Sequence, residues 1–326
     1  MSLVITCYNQ ERYIKDAIVS CFNQEYDGPL QFIIVDDAST DNSLKIIEAT
    51  VLEQGQNRDV EIVKLEYNRG VAGATDAGWA KTKHNWILMV DGDDIQMPQR
   101  CQYIKDAVTS NPDVLQLAFC MKNITSSGKE IGQTSYASGY TYEQVPEETI
   151  LDTPESNFKN WFGGLEHAGV RCLGAAFSRK IYNLWGALCQ DKNEDMRFEQ
   201  DPVMAFRAAL LSNVMGVKKI ALQYRSHDHN LTNITLPHGY KGIIKKELFQ
   251  DKYQAFHAAS LKCMLRDLAR ARKQPELTNW TTNMLNEAEE HLRRELAGCE
   301  MRYLWWKQSW FERVRRAFYY FNKVQK

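Results

Sequence analysis

Short apolar runs alternate with amphipathic stretches along the first third of the chain. Apolar runs that end in polar residues predict buried strands at residues 3–5, 30–35, 60–65 and 86–90. Apolar residues at helical spacing lie between these runs and predict helices over residues 13–22, 43–51 and 70–82. Because strand and helix alternate, we expect an α/β fold with a mostly parallel twisted sheet flanked by helices.

The pattern changes after Pro98. It predicts, in order, a helix over 100–110, a strand over 114–119, a loop-rich segment over 122–170, an apolar run at 173–177, a helix ending at Ala187 and a helix over 201–211. From about residue 240 the sequence is charged and favours helix. We therefore divide the chain into residues 1–110 and 111–238, two halves of one α/β domain, and residues 239–326, a helical C-terminal extension.

The composition excludes several classes of protein. With 40 basic and 41 acidic residues the net charge is −1, which argues against a protein that binds nucleic acid through a broadly basic surface. No apolar run is long enough to predict a membrane-spanning helix, and the first residues do not resemble a signal peptide. The eight cysteines are scattered without a C-x-x-C pair, as expected for reduced thiols. We therefore predict a cytoplasmic protein.

Polar residues follow each of the predicted strands in residues 1–110. They are Thr6, Tyr8 and Asn9 after the first strand, Asp36 and Asp37 after the second, Asn68 after the third, and Asp91, Gly92 and Asp93 after the fourth. In parallel sheets, ligands bind beyond the carboxyl ends of the strands. We therefore expect the functional site at this edge.

Three aspartates follow the fourth strand in the sequence Asp91-Gly92-Asp93-Asp94, and Asp91 and Asp93 are two residues apart. Carboxylates two residues apart in an extended segment can both reach one hard cation. A divalent ion held in this way can bridge the phosphates of a nucleotide diphosphate. The alternative is a solvated turn, because Asp-Gly is a common turn dipeptide, and the pair alone favours that alternative.

A second acidic segment, Asp36-Asp37-Ala38-Ser39-Thr40-Asp41, follows the second strand. A carboxylate at this position can accept a hydrogen bond from the N–H of a pyrimidine base, and Asp37 is our candidate. The alternative is a structural role, in which Ser39 or Asp41 caps the helix that follows. Both roles can coexist on different residues.

Four blocks come in the order and approximate spacing of a known family. They are Ile5-Thr6-Cys7-Tyr8-Asn9, Val35-Asp36-Asp37-Ala38-Ser39-Thr40-Asp41, Asn68-Arg69-Gly70 and Met89-Val90-Asp91-Gly92-Asp93-Asp94. On these blocks, the sequence resembles the family 2 glycosyltransferases. The resemblance implies a GT-A-type nucleotide-diphospho-sugar transferase fold and an inverting, metal-dependent enzyme that uses Mn²⁺ or Mg²⁺.

The resemblance also implies which residues form the donor site. The nucleotide-sugar would be bound by Thr6, Tyr8, Asn9, Glu11, Asp36, Asp37, Asn68, Gly70, Asp91 and Gly92. The metal would be held by Asp91 and Asp93. A later block, Tyr224-Arg225-Ser226-His227, is similar to one that follows the last core strand of the family, and it adds His227 as a metal or diphosphate ligand.

The block Phe198-Glu199-Gln200-Asp201 resembles the family's Glu-Asp segment, whose aspartate is the general base. The resemblance therefore implies that Asp201 is the catalytic base, although Gln200 stands where the family usually has glutamate. Structural alternatives remain for both late blocks. Asp201 precedes Pro202 and could cap a helix, and a lone His227 could be a core histidine. Arg207 could simply pair with a carboxylate.

Two further departures from the family pattern affect the predicted activity. Thr75-Asp76 stands where relatives often carry Arg-Asn, so a cation near the donor is missing. The Gln-x-x-Arg-Trp block of processive polysaccharide synthases is also missing. We therefore expect transfer of a single sugar.

The predicted reaction moves one sugar from a UDP- or dTDP-linked donor to a hydroxyl of a saccharide or lipid-linked saccharide, in cell-surface polysaccharide or glycan biosynthesis. A base such as Asp201 must take the proton from the attacking hydroxyl. We expect the acceptor pocket to be shaped by the loop-rich segment 122–170, which contains Trp161-Phe162-Gly163-Gly164 and His167.

The segment 301–326 carries seven basic residues, the single acidic residue Glu312 and nine aromatic residues. A basic, aromatic-rich helix can lie on an anionic membrane surface, which would suit a lipid-linked acceptor. The alternative is a helix whose aromatic face packs on the core or on a partner subunit. The sequence does not specify the oligomeric state.

Two other functions compete with glycosyl transfer. A sugar nucleotidyltransferase would need a glycine-rich phosphate loop near the amino end, and residues 6–12 contain no glycine. A non-catalytic nucleotide-sugar-binding protein could keep the fold without turnover. The pair Asp91 and Asp93, together with Asp201, favours an enzyme, whereas Gln200 and Thr75 keep the non-catalytic alternative open.

Overall fold

The computed structural model describes residues 1–137, 140–162, 174–188, 200–227 and 251–306. The amino-terminal elements are β1 (Ser2–Cys7), α1 (Ile14–Phe22), β2 (Gln31–Asp36), α2 (Ser43–Gln54), β3 (Asp59–Lys64), α3 (Gly70–Trp79) and β4 (Trp86–Asp91). They follow the predicted alternation, and α3 ends three residues earlier than the pattern indicated. Strand and helix therefore alternate because the apolar periodicity alternates.

The remaining elements form the second part of the sheet and the C-terminal helices. They are β5 (Ile95–Gln96), α4 (Arg100–Ser110), β6 (Gln116–Thr125), β7 (Glu130–Thr134), β8 (Glu148–Leu151), α5 (Pro154–Phe162), β9 (Ala176–Ser178), α6 (Arg179–Trp185), α7 (Gln200–Leu210), β10 (Val214–Ser226), α8 (Asp251–Ala271), a short 3₁₀ helix (Pro275–Leu277) and α9 (Thr282–Trp306).

Within the described residues, ten strands form one sheet in the order β3-β2-β1-β4-β9-β6-β10-β5, with β7 beside β6 and β8 beside β10. The pairs β3-β2, β2-β1, β1-β4 and β6-β10 are parallel. The other pairs are antiparallel. The α/β fold is confirmed. The parallel arrangement describes the amino-terminal strands, and the remainder of the sheet is mixed.

Both faces of the sheet are buried. In β1, Leu3 and Ile5 belong to one apolar cluster, with α1 residues such as Ile14 and Ile18. Val4 belongs to the other cluster, which extends to Trp79 of α3 and to the C-terminal helices. Alternate strand residues point to opposite faces, so an uninterrupted apolar run is what a strand covered on both sides requires.

The described part of residues 122–170, predicted to be loop-rich, contains more regular structure than expected. Strand β6 continues to Thr125, and the segment also contains β7, β8 and α5. Strand β7 was missed because most of its residues are exposed. Its sequence Glu-Ile-Gly-Gln-Thr therefore lacks the apolar run by which buried strands are recognised.

The C-terminal helices α8 and α9 pack against the α/β domain through an aromatic cluster. Trp280 contacts Phe158, Phe162 and Phe206 edge to face at centroid distances of 5.3, 6.1 and 5.9 Å. Trp161 contacts Phe206 in the same way at 5.2 Å. The helical character predicted for this region is confirmed in the described residues. Trp161 and Phe162, which the sequence predicts to shape an acceptor pocket, belong to this packed cluster, and their role towards an acceptor stays a prediction.

Some of the sequence predictions fall on other parts of the chain. Gly163, Gly164, His167 and residues 307–326 lie outside the described residues, so their assigned roles stay predictions. Among the described helices, none combines the length and apolar character needed to cross a bilayer. Strands from residues 1–110 and 111–238 share one sheet, and the boundary at residue 110 stays a proposal.

Candidate functional site

The register of the parallel strands brings the predicted site residues to one edge. Thr6 of β1 lies opposite Asp91 of β4, and Cys7 of β1 lies opposite Asp36 of β2. The loops that follow these strands therefore leave the sheet side by side. The predicted convergence of Thr6, Asp36 and Asp91 thus follows from strand pairing alone.

The loops that follow β1 and β2 are joined by hydrogen bonds, and we call this set of contacts the loop zipper. The backbone N–H of Asn9 donates to Ser39 Oγ at 3.0 Å, and Thr40 N–H donates to Asn9 Oδ1 at 2.8 Å. Glu11 Oε2 accepts from both the backbone N–H and the side-chain amide of Asn42, each at 2.9 Å. Asn9 and Glu11, predicted to bind nucleotide, therefore hold the two loops together.

The N-cap of α2 is Asn42, whose side chain makes no capping hydrogen bond, and of the two residues proposed as caps only Asp41 binds a backbone N–H of the helix. Asp41 Oδ1 accepts from the N–H of Ser43, the first residue of α2, at 2.9 Å. Ser39 instead belongs to the loop zipper, and its own N–H donates to Asp36 Oδ2 at 3.1 Å. Asp36 is buried, and the hydrogen bond that it accepts from Ser39 stabilises the loop after β2.

Asp37 lies where the loop after β3 closes over the loop after β2. Its Oδ1 accepts from the backbone N–H of Arg69 at 2.6 Å, and the residue is only 3% exposed. Burial raises the pKa of the Asp37 carboxyl to about 6, against the opposing effect of the N–H groups of Arg69 and Gly70. The Asp37 carboxyl therefore changes between its neutral and its charged form near pH 6.

The segment before α3 supplies the other predicted contacts to the donor. Asn68 Oδ1 accepts from the N–H of Gly70 at 3.2 Å, and Gly70 has φ +73°. A side chain at this position would be strained, because left-handed backbone is costly for residues other than glycine. Helix α3 therefore begins directly beside Asp37. Tyr8, in the loop after β1, and Tyr67, in the loop after β3, are exposed.

Three carboxylates crowd the end of β4. Asp91 keeps a solvent-exposed surface, whereas Asp93 and Asp94 are buried. The protein atoms packed around Asp91 raise the pKa of its carboxyl to about 7, and the negative charge of Asp93 adds to the shift. Burial, followed by the charges of Asp93 and Asp91, also raises the pKa of Asp94. Such a cluster favours the arrival of a positive charge.

The short strand β5 brings a distant part of the chain to this cluster. It pairs antiparallel with β10, so that Leu222 lies opposite Gln96 and Gln223 opposite Ile95. The backbone N–H of Arg225 then donates to Asp94 Oδ1 at 2.9 Å, and the Arg225 guanidinium donates to the carbonyl of Asp93 at 2.9 Å. His227 Nε2 lies 2.9 Å from Asp93 Oδ2. The structure thus places His227 beside Asp93, one of the two carboxylates predicted to hold the metal.

Tyr13 contacts both Arg225 and His227 of the block Tyr224-Arg225-Ser226-His227. Its ring stacks on His227 at a centroid distance of 4.7 Å, and the Arg225 guanidinium lies 4.9 Å from the same ring centre. Sequence reasoning counted Tyr13 only as an apolar helix residue. The signal was weak, because the partners are more than 200 positions apart in the chain.

Arg100 is a second residue that the sequence analysis missed. It is 1% exposed, and its guanidinium donates to the carbonyls of Gly174 and Ala175 at 3.1 Å and to the side chain of Gln96. The positive charge of Arg100 also lowers the pKa values of Asp91 and Asp94, but its effect is the smallest of those that act on each carboxyl. A buried cation behind the carboxylates therefore offsets part of their repulsion.

The donor chemistry of Asp91 and Asp93 fits a hard divalent cation. Among the described residues, no group of three or more His, Cys, Asp or Glu side chains is arranged to hold a metal ion by itself. Mg²⁺ commonly keeps several waters and is bound by one or two carboxylates together with substrate phosphates. The residues present therefore fit a cation shared with a diphosphate. The direct ligand role of His227 stays a prediction, because its Nε2 is engaged with Asp93.

Gly92 fills a position with no room for a side chain. Its N–H donates to the carbonyl of Thr6 at 2.9 Å, and a Cβ would lie 2.8 Å from that carbonyl oxygen and 2.4 Å from Gln10 Oε1. We expect Gly92→Ala to lower the free energy of unfolding by about 1–3 kcal/mol, the usual cost of overpacking. Urea denaturation followed by circular dichroism measures this, and an unchanged midpoint would contradict the close approach.

Asp201 lies in the first turn of α7 and is partly buried. The helix begins at Gln200, so the alternative in which Asp201 caps the helix and Pro202 opens it is wrong. The helix begins earlier because a residue before proline is only biased against helix, and here packing outweighs that bias. The role of Asp201 as base stays a proposal. The alternative for Arg207 is correct, since it pairs with Asp267 at 2.7 Å.

Comparison with known proteins identifies one family. Residues 2–169, more than half of the 326 residues, match the family model described as Glycosyl transferase family 2. An uncharacterized glycosyltransferase of Haemophilus influenzae is 28% identical over 114 residues, which are 35% of this chain and 36% of that protein. Poly(ribitol-phosphate) beta-N-acetylglucosaminyltransferase TarS of Staphylococcus aureus is 22% identical over 293 residues. That match covers 86% of this chain and 43% of TarS, so the chain spans less than half of each relative.

A solved structure has the same fold. The crystal structure of S. aureus TarS 1-349 in complex with UDP matches with a TM-score of 0.54 and 14% identity, over 94% of this chain and 72% of that one. At this level of identity, the match shows a shared fold. The fold expected from the four sequence blocks is thereby confirmed.

Proposed function

Because the chain belongs to glycosyl transferase family 2, we propose that it moves a single sugar from a nucleotide-diphospho-sugar to an acceptor hydroxyl with inversion. The observation that carries this proposal is the convergence of Asp37, Asp91 and Asp93 at the carboxyl edge of β1, β2 and β4. In the proposed complex, Asp37 would bind the base, and Asp91 and Asp93 would lie at the diphosphate. A nucleotide-sugar has both parts.

The donor would be linked to uridine or thymidine. Both bases carry an N–H that can donate to the Asp37 carboxylate, whose other neighbours are backbone N–H donors. The amino end of α3 begins at Gly70 beside this carboxylate, and helix N-termini favour negative charge. These residues therefore orient the nucleotide with its base at Asp37 and its diphosphate towards Asp91.

Asp91 and Asp93 would hold Mn²⁺ or Mg²⁺ together with the diphosphate. A divalent cation there supplies charge that offsets the negative charge growing on the leaving diphosphate. The stacked Tyr13 and His227 pair and the buried Arg225 fix Asp93 and Asp94 in place. Fixed charges need no reorganisation during the reaction.

The Asp201 carboxylate would take the proton of the acceptor hydroxyl as its oxygen attacks the anomeric carbon. The bond between that carbon and the diphosphate breaks on the opposite face, and the nucleoside diphosphate leaves with the bonding electrons. Attack from this face inverts the stereochemistry. We propose a saccharide or lipid-linked saccharide as acceptor, in cell-surface polysaccharide or glycan synthesis, in keeping with the names of the relatives.

A panel of nucleotide-sugars tests the proposed function. Each donor is incubated with the protein and Mn²⁺, and release of nucleoside diphosphate is measured with and without saccharide acceptors. Release from UDP- or dTDP-sugars, stimulated by an acceptor and abolished by a chelator, is the expected result. Binding without turnover for every donor would favour the non-catalytic alternative. Formation of nucleotide-sugar from a sugar phosphate would indicate a nucleotidyltransferase.

The raised pKa of Asp37 predicts how binding depends on pH. The ionised carboxylate is a stronger acceptor for the base N–H than the protonated carboxyl, so UDP affinity is expected to be constant well above the pKa of about 6. Below that pKa, affinity should fall by up to about tenfold per pH unit. Calorimetry of UDP binding from acid to neutral pH measures this. Asp37→Asn is the control, because its amide oxygen still accepts but does not titrate. A parallel pH response in both proteins would mean that Asp37 does not contact the base.

A further inference from the structure

Four consecutive backbone carbonyls at the end of α6 accept hydrogen bonds from arginine side chains. Arg270 donates to Trp185 O at 2.7 Å, and Arg266 donates to Leu188 O at 2.7 Å. Arg207 donates to Gly186 O at 3.1 Å and to Ala187 O at 3.3 Å. We call residues 185–188 with these three side chains the arginine clamp. Water can satisfy the carbonyls of an exposed turn. Hydrogen bonds from three arginine side chains are therefore more than this turn requires.

The clamp ties α7 to the C-terminal helix α8. Arg207 lies in the last turn of α7, and Arg266 and Arg270 belong to α8. Asp267 of α8 pairs with Arg207 at 2.7 Å, and both side chains are fully buried. A buried ion pair is costly to desolvate unless further hydrogen bonds satisfy it. The carbonyls of Gly186 and Ala187 supply them.

The clamp also reaches the donor side of the site. The N–H of Leu188 donates to Asp76 Oδ1 of α3 at 2.7 Å. Helix α3 is the helix that begins at Gly70 beside Asp37. The turn 185–188 therefore connects the helix of the donor site, the helix that carries Asp201 and the C-terminal helix. Trp185 is buried under the Arg207 and Arg270 guanidinium groups, 5.6 and 5.4 Å from its ring.

We infer that α8 is a positioning element of the transfer site, and that Arg207 is the positioning residue through which it acts on Asp201. The inference rests on the proposed function. Asp201 and Arg207 lie at opposite ends of one helix of 11 residues, so holding Arg207 sets where Asp201 points. The hydrogen bond between Leu188 and Asp76 attaches α3, which begins beside the donor site, to the same turn that holds α7, which carries Asp201. The C-terminal helices thus serve the reaction without touching either substrate.

Arg207→Lys tests the clamp with little loss of charge pairing. A lysine ammonium can still pair with Asp267, but it lacks the planar fork that reaches two carbonyls at once. We expect kcat to fall by about 10- to 100-fold, since small misplacements of a reacting group cost that much. The KM for the donor and the UDP affinity should stay within about twofold, because ground-state binding is not involved. A purely structural role would lower kcat and the UDP affinity and would raise the KM.

Arg293→Lys is the matched control, because Arg293 forms an exposed pair with Glu289 on α9 and takes no part in the clamp. It should leave kcat unchanged. Arg270→Lys, which removes one carbonyl contact of a partly exposed arginine, is the milder variant should Arg207→Lys fail to fold. It should show the same selective loss of kcat. A folded clamp variant with the kcat of the unmodified protein would overturn the inference.

Hydrogen exchange separates this inference from the proposed function, because it requires no donor. The Leu188 amide is held by Asp76, so loosening the turn should speed its exchange in Arg207→Lys and leave it unchanged in Arg293→Lys. Unaltered exchange in the clamp variants would overturn the inference. If the unmodified protein turns over no nucleotide-sugar, the proposed function fails. The exchange rates then still decide whether the clamp exists as described.

Discussion

Asp201→Asn is expected to lower kcat for sugar transfer by about 10²- to 10⁴-fold, the usual contribution of a general base. The amide has the same shape as the carboxylate but takes no proton from the attacking hydroxyl. Because Asp201 lies on α7 and is not one of the strand-end residues that we propose to bind the donor, UDP binding measured by calorimetry should not change. Steady-state kinetics with saturating donor and acceptor measure the loss.

Asp113→Asn serves as the control for this experiment, since Asp113 is exposed on the loop between α4 and β6. It removes one carboxylate from the surface and should have normal kinetics. Should Asp201→Asn keep the turnover of the unmodified protein, Asp201 is not the base. Should it lose UDP binding as well, Asp201 acts on the donor.

Asp93→Asn is expected to remove the manganese dependence of donor binding and to lower kcat by about 10²- to 10³-fold, as the loss of one stabilising group for developing charge does. Asparagine keeps the size of the side chain and can still hydrogen-bond to His227, which lies 2.9 Å away. The variant therefore isolates the charge. Calorimetry of UDP binding with Mn²⁺ and with a chelator gives the dependence directly.

Two further measurements make the Asp93 result specific. Asp106→Asn, an exposed carboxylate on α4, is the control and should keep the manganese dependence. The thermal midpoint of Asp93→Asn should not fall, because the Asp93 charge raises the pKa values of Asp91 and Asp94 by repulsion. A lower midpoint with normal manganese dependence would show that Asp93 stabilises the fold and does not serve the cation.

The sequence predicted β1 and β2 because these two strands are buried on both faces. An apolar run such as residues 30–35 has few other interpretations. The strand ends then placed Asp37 and Asp91 at one edge without knowledge of any contact. An exposed strand such as β7 has no apolar run, so the sequence predicts a loop there.

Contacts between distant parts of the chain could not be predicted in the same way. Arg225 reaches Asp93 only because the two-residue strand β5 pairs with β10, and no periodicity marks so short a strand. The family resemblance pointed to His227, but it did not identify Tyr13 as its stacking partner. The pairing of Arg207 with Asp267 was anticipated only as a general alternative for a charged helix residue.

The loop zipper has a consequence for the energetics of donor binding. Ordering one residue of a mobile loop costs about 1–2 kcal/mol of backbone entropy, and a site whose loops close only around its ligand loses that amount from its affinity. Here, the hydrogen bonds of Asn9 and Glu11 hold the two loops in place before any nucleotide arrives. This entropy is lost on folding, so a nucleotide that binds at this edge, as we propose, would not have to order the two loops.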